Sequence, residues 1–231
     1  MTLAALIFDV DGTLAETEET HRRAFNRAFA EAGFGWEWSV AQYTELLKTT
    51  GGKERINAFL REIGTPNALD AEAIAALHRR KTDIYTDMIA AGEIALRPGI
   101  VELVAHAHHS GLRVAVATTT NLPNVEALCQ ACWKQSADDV FDAVAAGDAV
   151  AAKKPAPDVY LLALDLLGLA PDQCLAFEDS RNGLRSAKAA NLRVIATPSL
   201  YSAGDDLSEA DGILSDLHGF DLDAWWSGRR M

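Results

Sequence analysis

Residues 3–13 read LAALIFDVDGT, and the fold turns on this stretch. The apolar run 3–8 is unbroken and short, which fits a strand buried on both faces, the kind found in the middle of a parallel sheet. The run stops at Asp9-Val10-Asp11-Gly12-Thr13. Two carboxylates two residues apart can point the same way where a strand ends, and Gly12 lets the chain turn there. One such carboxylate can act as a nucleophile and cation ligand while the other exchanges protons.

Downstream the periodicity changes. Residues 16–91 are alanine-rich and helix-periodic, with helices predicted over 20–32, 41–47, 53–63 and 71–90. Gly33, Gly51-Gly52 and Gly64-Thr65-Pro66 punctuate them, and Asp70 reads as an N-cap. Leu96-Arg97-Pro98-Gly99 closes this block, which reads as a four-helix insertion. Beyond it helices and strands alternate. Helices are expected at 101–109, 125–135, 158–167 and around 186–190, and strands at 113–118, 140–145, 173–177, 193–196 and 212–214. That alternation argues for an α/β fold with a doubly wound parallel sheet. The expected division is a core of 1–15 with 97–231 and an inserted helical domain of 16–96.

Such sheets bind ligands beyond the carboxyl ends of their strands, so polar clusters at those ends carry the functional reading. After the first lies Thr118-Thr119-Thr120-Asn121, whose hydroxyls and backbone N–H groups suit phosphoryl oxygens. Then comes Lys153-Lys154-Pro155, with a cation for the same charge. Last is Glu178-Asp179, hard oxygen ligands of the kind Mg²⁺ prefers. Singly, each is an ordinary turn, cap or solvated loop. The chemical reading comes from their order, each following a predicted strand.

The rest of the composition narrows the partners. Of 231 residues, 49% are hydrophobic and 23% charged, an ordinary globular balance. The formal charge of −12 disfavours nucleic acid and anionic membranes as general partners, and no apolar run is long enough to span a bilayer. Three cysteines and the lack of a basic leader fit a cytoplasmic protein, or a plastid one without its transit peptide. Cys129 and Cys132 read as two small residues one helical turn apart. His106, His108 and His109 read as cations at a helix end rather than as ligands. Nothing in the chain demands more than a monomer.

The whole pattern resembles the haloacid dehalogenase superfamily of phosphotransferases. The D-x-D-G-T stretch, strand-end threonine, lysine and E-D pair stand in that family's order, and the helical insertion is similar to its cap. Asp9 to His21 (DVDGTLAETEETH) and Lys154-Pro-Ala-Pro-Asp158 resemble the β-phosphoglucomutase-like branch. Residues 47–56, LKTTGGKERI, are similar to the CbbY group, encoded with Calvin-cycle genes, whose members dephosphorylate the Rubisco inhibitor xylulose-1,5-bisphosphate. The resemblance implies a Rossmann-like core and an Mg²⁺-dependent sugar-bisphosphate phosphatase. β-Phosphoglucomutase and phosphoglycolate phosphatase stand as alternatives.

Residue by residue, it implies Asp9 as the nucleophile and Asp11 as the general acid/base. Thr118 and Lys154 would bind the phosphoryl group. Mg²⁺ would be held by Asp9, the Asp11 backbone carbonyl and Asp179, with Glu178 a nearby acid. Substrate contacts are expected from Thr17, His21, Thr50, Gly51, Gly52, Lys53, Arg55 and Lys81, and from Thr119, Thr120 and Asn121. Lys81 stands in the K-x-D-x-Y context of a substrate-contacting lysine of the mutase branch, whereas Asn121 replaces a basic residue usual there.

Overall fold

The fold is described from a computed structural model, which describes residues 2–66 and 68–228. Met1, Asn67 and 229–231, which the expected domain ranges include, lie outside the described residues. Six strands form one sheet among the described residues: β1 (Ala5–Phe8), β2 (Arg113–Ala117), β3 (Ala143–Ala145), β4 (Cys174–Glu178), β5 (Arg193–Ala196) and β6 (Gly212–Ile213). Their order is β3-β2-β1-β4-β5-β6 and every pairing is parallel. This is the doubly wound arrangement, with its switch point beside β1.

The two sheet faces differ in residue size, and alternation along the strands produces the difference. One face shows Leu6, Phe8, Val114, Val116, Leu175, Phe177 and Ile195. Against it pack α5 (Ile100–His109), α6 (Leu122–Cys132) and the short α7 (Ala137–Val140). Phe8 and Phe177 stack at 4.7 Å between neighbouring strands. The other face is largely alanine, including Ala5, Ala115, Ala117, Ala143, Ala145, Ala176 and Ala196, with Ile7 and Val194 among them. The small side chains let α8 (Asp158–Leu167) and α9 (Arg181–Ala189) lie close to the sheet. The last helix among the described residues is α10 (Leu222–Trp226).

The insertion forms four helices, α1 (Glu18–Glu31), α2 (Val40–Leu46), α3 (Gly52–Glu62) and α4 (Ala71–Ala90). They close around their own aromatic cluster, with Phe25, Phe29, Trp38, Tyr43, Phe59 and Tyr85 all buried. Ala127 and Ala131 of α6 pack against that cluster from the core side. At the base Ala15 bridges to Leu96, so the chain leaves and re-enters the core at one place. No helix among the described residues is long and apolar enough to cross a membrane.

Several boundaries differ from the sequence expectation. The first strand pairs only from Ala5, while Leu3 packs against the core beside it. The helix expected over 125–135 runs Leu122–Cys132. Asn121 caps it and a proline sits in its first turn, so it starts three residues before the expected Val125. Lys134, at φ 59°, stops it early. The strand expected at 140–145 begins at Ala143, because Ser136 and Asp139 make a capping box that winds Val140 into a helical turn.

Candidate active site

The polar stations converge beyond the carboxyl ends of the strands. Asp9 and Asp11 follow β1, Thr118 to Asn121 follow β2, and Lys154 follows β3. Glu178 and Asp179 close β4. Gly12 holds the first station together. It sits at φ +84°, and a Cβ there would lie 2.2 Å from Asp179 Oδ2. Gly12→Ala is expected to cost about 1–2 kcal/mol in left-handed strain alone, lowering Tm by roughly 2–8 °C for a chain this long. An unchanged melting curve by calorimetry would contradict this account of the turn.

Around Asp9 the chain buries three carboxylates and one ammonium. Lys154 Nζ lies 2.6 Å from Asp9 Oδ1 and 2.6 Å from Glu178 Oε1. Tyr160 Oη donates to the same Glu178 oxygen at 2.6 Å, whereas the buried Glu178 Oε2 has no hydrogen-bond partner. Oxygens of Asp9, Glu178 and Asp179 all lie within 4.8 Å of one another. Burial raises the Asp9 carboxyl well above its usual range; Lys154 opposes the shift, and Glu178, Asp179 and Asp11 add to it. Asp179 is pushed up to about 7 by burial and by Glu178, against hydrogen bonds from Ser199 and Ser202. Clustered, buried, oxygen-only donors short of positive charge fit a hard divalent cation. The three cysteines and the 106–109 histidines form no comparable cluster among the described residues.

Asp11 has a different environment. Thr17 Oγ1 donates to its Oδ1 at 2.6 Å, and His21 Nε2 lies 3.1 Å from the same atom. Lys81 Nζ lies 2.7 Å from His21 Nδ1. While Lys81 is protonated it can only donate, and the imidazole then keeps its proton on Nε2, facing Asp11. Burial would raise the Asp11 carboxyl, but His21, Thr17 and Lys81 outweigh it and hold it at about 2. The same burial lowers Lys81 to about 7, with Arg55 adding to the shift. Tyr85 stacks on His21 with centroids 4.0 Å apart, fixing the ring plane.

These groups floor a cavity of about 540 Å³ between the sheet and the helical insertion. From the insertion, His21, Thr50, Gly51, Gly52, Lys53, Arg55 and Lys81 reach its wall. Thr119, Thr120 and Asn121 line it from the core. Two expected contacts do not. Thr17 spends its hydroxyl on Asp11, and Thr118 is fully buried with its Oγ1 accepting from Thr120 N–H at 3.2 Å. Thr17 is therefore placed to orient Asp11 rather than to touch a ligand. Asn121 Oδ1 caps α6 by accepting from Asn124 N–H at 3.0 Å. Glu178 lies behind Lys154, off the cavity surface, at 0% exposure.

Sequence reasoning missed several lining groups. His78 lies one helical turn before Lys81, against Gly52, where a Cβ would meet its Nε2 at 2.2 Å. Burial and the neighbouring Lys81, Lys53, His21 and Lys153 depress it to about 3, so it is neutral. Its spacing from Lys81 on α4 was the available signal. Tyr201 and Ser202 follow β5 and line the cavity, whereas Tyr43 stands off its surface and accepts from Arg55 Nη1 through Oη at 2.8 Å. The strand-end rule applied to β5 would have found the first two. Residues of the insertion also reach the core: Asn182 Nδ2 donates to Thr50 Oγ1 at 3.1 Å, Lys153 pairs with Glu54 at 3.4 Å, and Lys53 Nζ lies 3.9 Å from Asp148.

A family model described as haloacid dehalogenase-like hydrolase matches residues 3–191. Protein CbbY of Rhodobacter capsulatus is 57% identical over 217 residues, 94% of this chain and 95% of that protein. A crystal structure of CbbY from Rhodobacter sphaeroides in complex with phosphate superposes with a TM-score of 0.88 at 52% identity, covering 94% of this chain and 95% of that one. An Asp-to-Asn mutant of the same protein in complex with xylulose-1,5-bisphosphate gives the same values. A β-phosphoglucomutase from Clostridium difficile shares the fold at a TM-score of 0.81 and 18% identity, covering 99% of this chain and 97% of that one.

Proposed function

Because the chain belongs to the haloacid dehalogenase-like hydrolases, as a phosphatase of that family, we propose that it removes a phosphate from a sugar bisphosphate, xylulose-1,5-bisphosphate foremost. Asp9 is the nucleophile and carries the phosphoryl group as an aspartyl-phosphate. Asp11 is the general acid/base: ionised beside Thr17 and His21, it takes a proton from the attacking water, and to protonate the leaving oxygen it must first take up a proton as substrate binds. Lys154 stabilises charge on the phosphoryl oxygens, and Thr118 orders the backbone turn whose neighbours line the cavity. Residues 16–96 act as the cap that excludes water and selects substrate.

The cofactor in this reading is Mg²⁺, held by Asp9, the Asp11 backbone carbonyl and Asp179, with Glu178 alongside. When bound it neutralises phosphoryl charge. The observation carrying the reading is the buried Asp9–Lys154–Glu178 arrangement beside Asp179, at the floor of a cavity whose far wall bears Lys53, Arg55 and Lys81. A reacting phosphoryl group at the floor and a second phosphate further up both find positive charge there. Removing such a bisphosphate would relieve Rubisco of an inhibitor, the role that the resemblance of residues 47–56 implies.

The test is Mg²⁺-dependent phosphate release from xylulose-1,5-bisphosphate, run beside β-glucose-1-phosphate with a trace of glucose-1,6-bisphosphate. Fast release from the xylulose compound without glucose-6-phosphate formation is expected. Glucose-6-phosphate with little free phosphate would make the protein a mutase instead.

Arg55→Ala is expected to raise KM for bisphosphates about 10-fold or more, and for monophosphates far less. Equal rises would remove Arg55 from the distal-phosphate role and leave it as a brace for Tyr43.

A further inference from the structure

We propose that Tyr201 is a positioning residue that couples the placement of α1, and with it the cap wall of the cavity, to the carboxylate of Asp179. The inference rests on the cation site described under the proposed function. Its subject is residues 197–202, the segment that follows β5.

One end of this segment holds Asp179. Ser202 Oγ donates to Asp179 Oδ2 at 2.8 Å and accepts from Ser199 N–H at 2.8 Å. The segment's root is clamped to the first catalytic turn. Arg97 donates to the carbonyls of Thr197 at 2.6 Å and Pro198 at 2.9 Å, and also to the carbonyl of Gly12. Between these anchors Leu200 is 74% exposed, so burial of its side chain does not hold the segment in place. Polar ties must do so.

The side-chain tie to the cap is Tyr201, beside a longer backbone contact from Leu200 N–H to Glu16 Oε2 at 3.4 Å. Its hydroxyl donates to Glu19 Oε2 in the first turn of α1. Glu19 is held in turn by Arg22 Nε at 2.9 Å and Nη2 at 2.7 Å, and Arg22 Nη1 donates to Trp38 O at 2.7 Å. The Tyr201 ring stands edge-on to Tyr43, centroids 5.7 Å apart. Tyr43 donates to Glu18 Oε2 at 2.7 Å. The residue beside the Asp179 donor therefore grips the helix that carries Glu18 and His21 into the cavity. A shift of α1 relative to the sheet pulls on Tyr201 and, one residue on, on Ser202. A hydrogen bond to a charged acceptor is strong enough to transmit such a bias.

The experiment is Mg²⁺ titration by calorimetry together with amide hydrogen exchange, without substrate, on the wild type, Tyr201→Phe and Glu19→Gln. Tyr201→Phe keeps the ring and removes the donor, while Glu19→Gln removes the acceptor's charge and serves if the first variant folds poorly. Both are expected to weaken Mg²⁺ binding roughly 3–10-fold and to speed exchange in the first turn of α1 and in 199–202. Faster exchange with unchanged Mg²⁺ affinity would overturn the coupling, and so would no change in either. A wild type that binds no Mg²⁺ would sink the cation reading beneath it, an outcome distinct from failure of the coupling. In turnover, KM is expected to rise more than kcat falls.

Discussion

Asp9→Asn is expected to reduce phosphate release by about 10⁴-fold or more while the protein stays folded. The amide is close to isosteric but lacks a nucleophilic oxygen of comparable strength, and no other carboxylate shares Asp9's place beside Lys154 on the cavity surface. Asp11 lines the cavity but is held by Thr17 and His21, and Glu178 lies behind the lysine. The folding side of the ledger is mixed. The substitution loses the 2.6 Å ion pair to Lys154 but leaves that lysine its second partner, Glu178. It also removes a carboxyl that burial first, and then the neighbouring Glu178 and Asp179, make costly to ionise. The two changes oppose each other, so Tm should move by only a few degrees. Circular dichroism and a phosphate-release assay on one preparation check both halves. Retention of most of the activity would show that Asp9 is not the nucleophile.

Lys154→Met should be the more damaging change to the protein itself. Met matches the length of the lysine stem but leaves Asp9, Glu178 and Asp179 buried together with no ammonium among them. Breaking a buried pair by removing one partner costs about 3–5 kcal/mol, which for this chain is roughly 6–20 °C in Tm. Lys154 itself keeps its charge despite burial because Asp9 and Glu178 raise its pKa. Millimolar Mg²⁺ should recover part of the lost stability, since the cation meets the same excess of negative charge, and it should recover more for the variant than for the wild type. Phosphate release should fall by about 10²–10³-fold even with Mg²⁺ saturating, through loss of charge stabilisation at the phosphoryl group. Thermal scans with and without Mg²⁺ decide the matter. A variant as stable as the wild type without the cation would mean that the cluster is protonated or hydrated enough to need no countercharge.

Much of this was legible before any coordinates. The run into Asp9 marked a buried strand because such strands carry apolar residues on both faces. The alternation after Gly99 implied a parallel sheet, since parallel strands need crossovers of helical length. Once the strands were placed, their polar ends named Asp9, Asp11, Lys154 and Asp179 as neighbours although 170 residues separate the first from the last. Helix 71–90 came out to the residue because Asp70 caps it. Local signals failed where a cap outweighed periodicity, at Asn121 and Ser136.

The sequence by itself determined the sheet, the inserted helices and which residue types stand at the strand ends. Those follow from burial patterning and local hydrogen bonding, which act over a few residues. Only the tertiary structure decided how each polar group is used. It turned Thr17 from a ligand contact into a donor to Asp11, and set His21 between Asp11 and Lys81. It put Glu178 behind Lys154, and brought Tyr201 onto Glu19, 182 residues earlier in the chain. A buried hydroxyl or imidazole takes whichever partner lies within about 3 Å in the right direction. That distance is settled by the packing of elements remote in the chain, and no local stretch of residues encodes it.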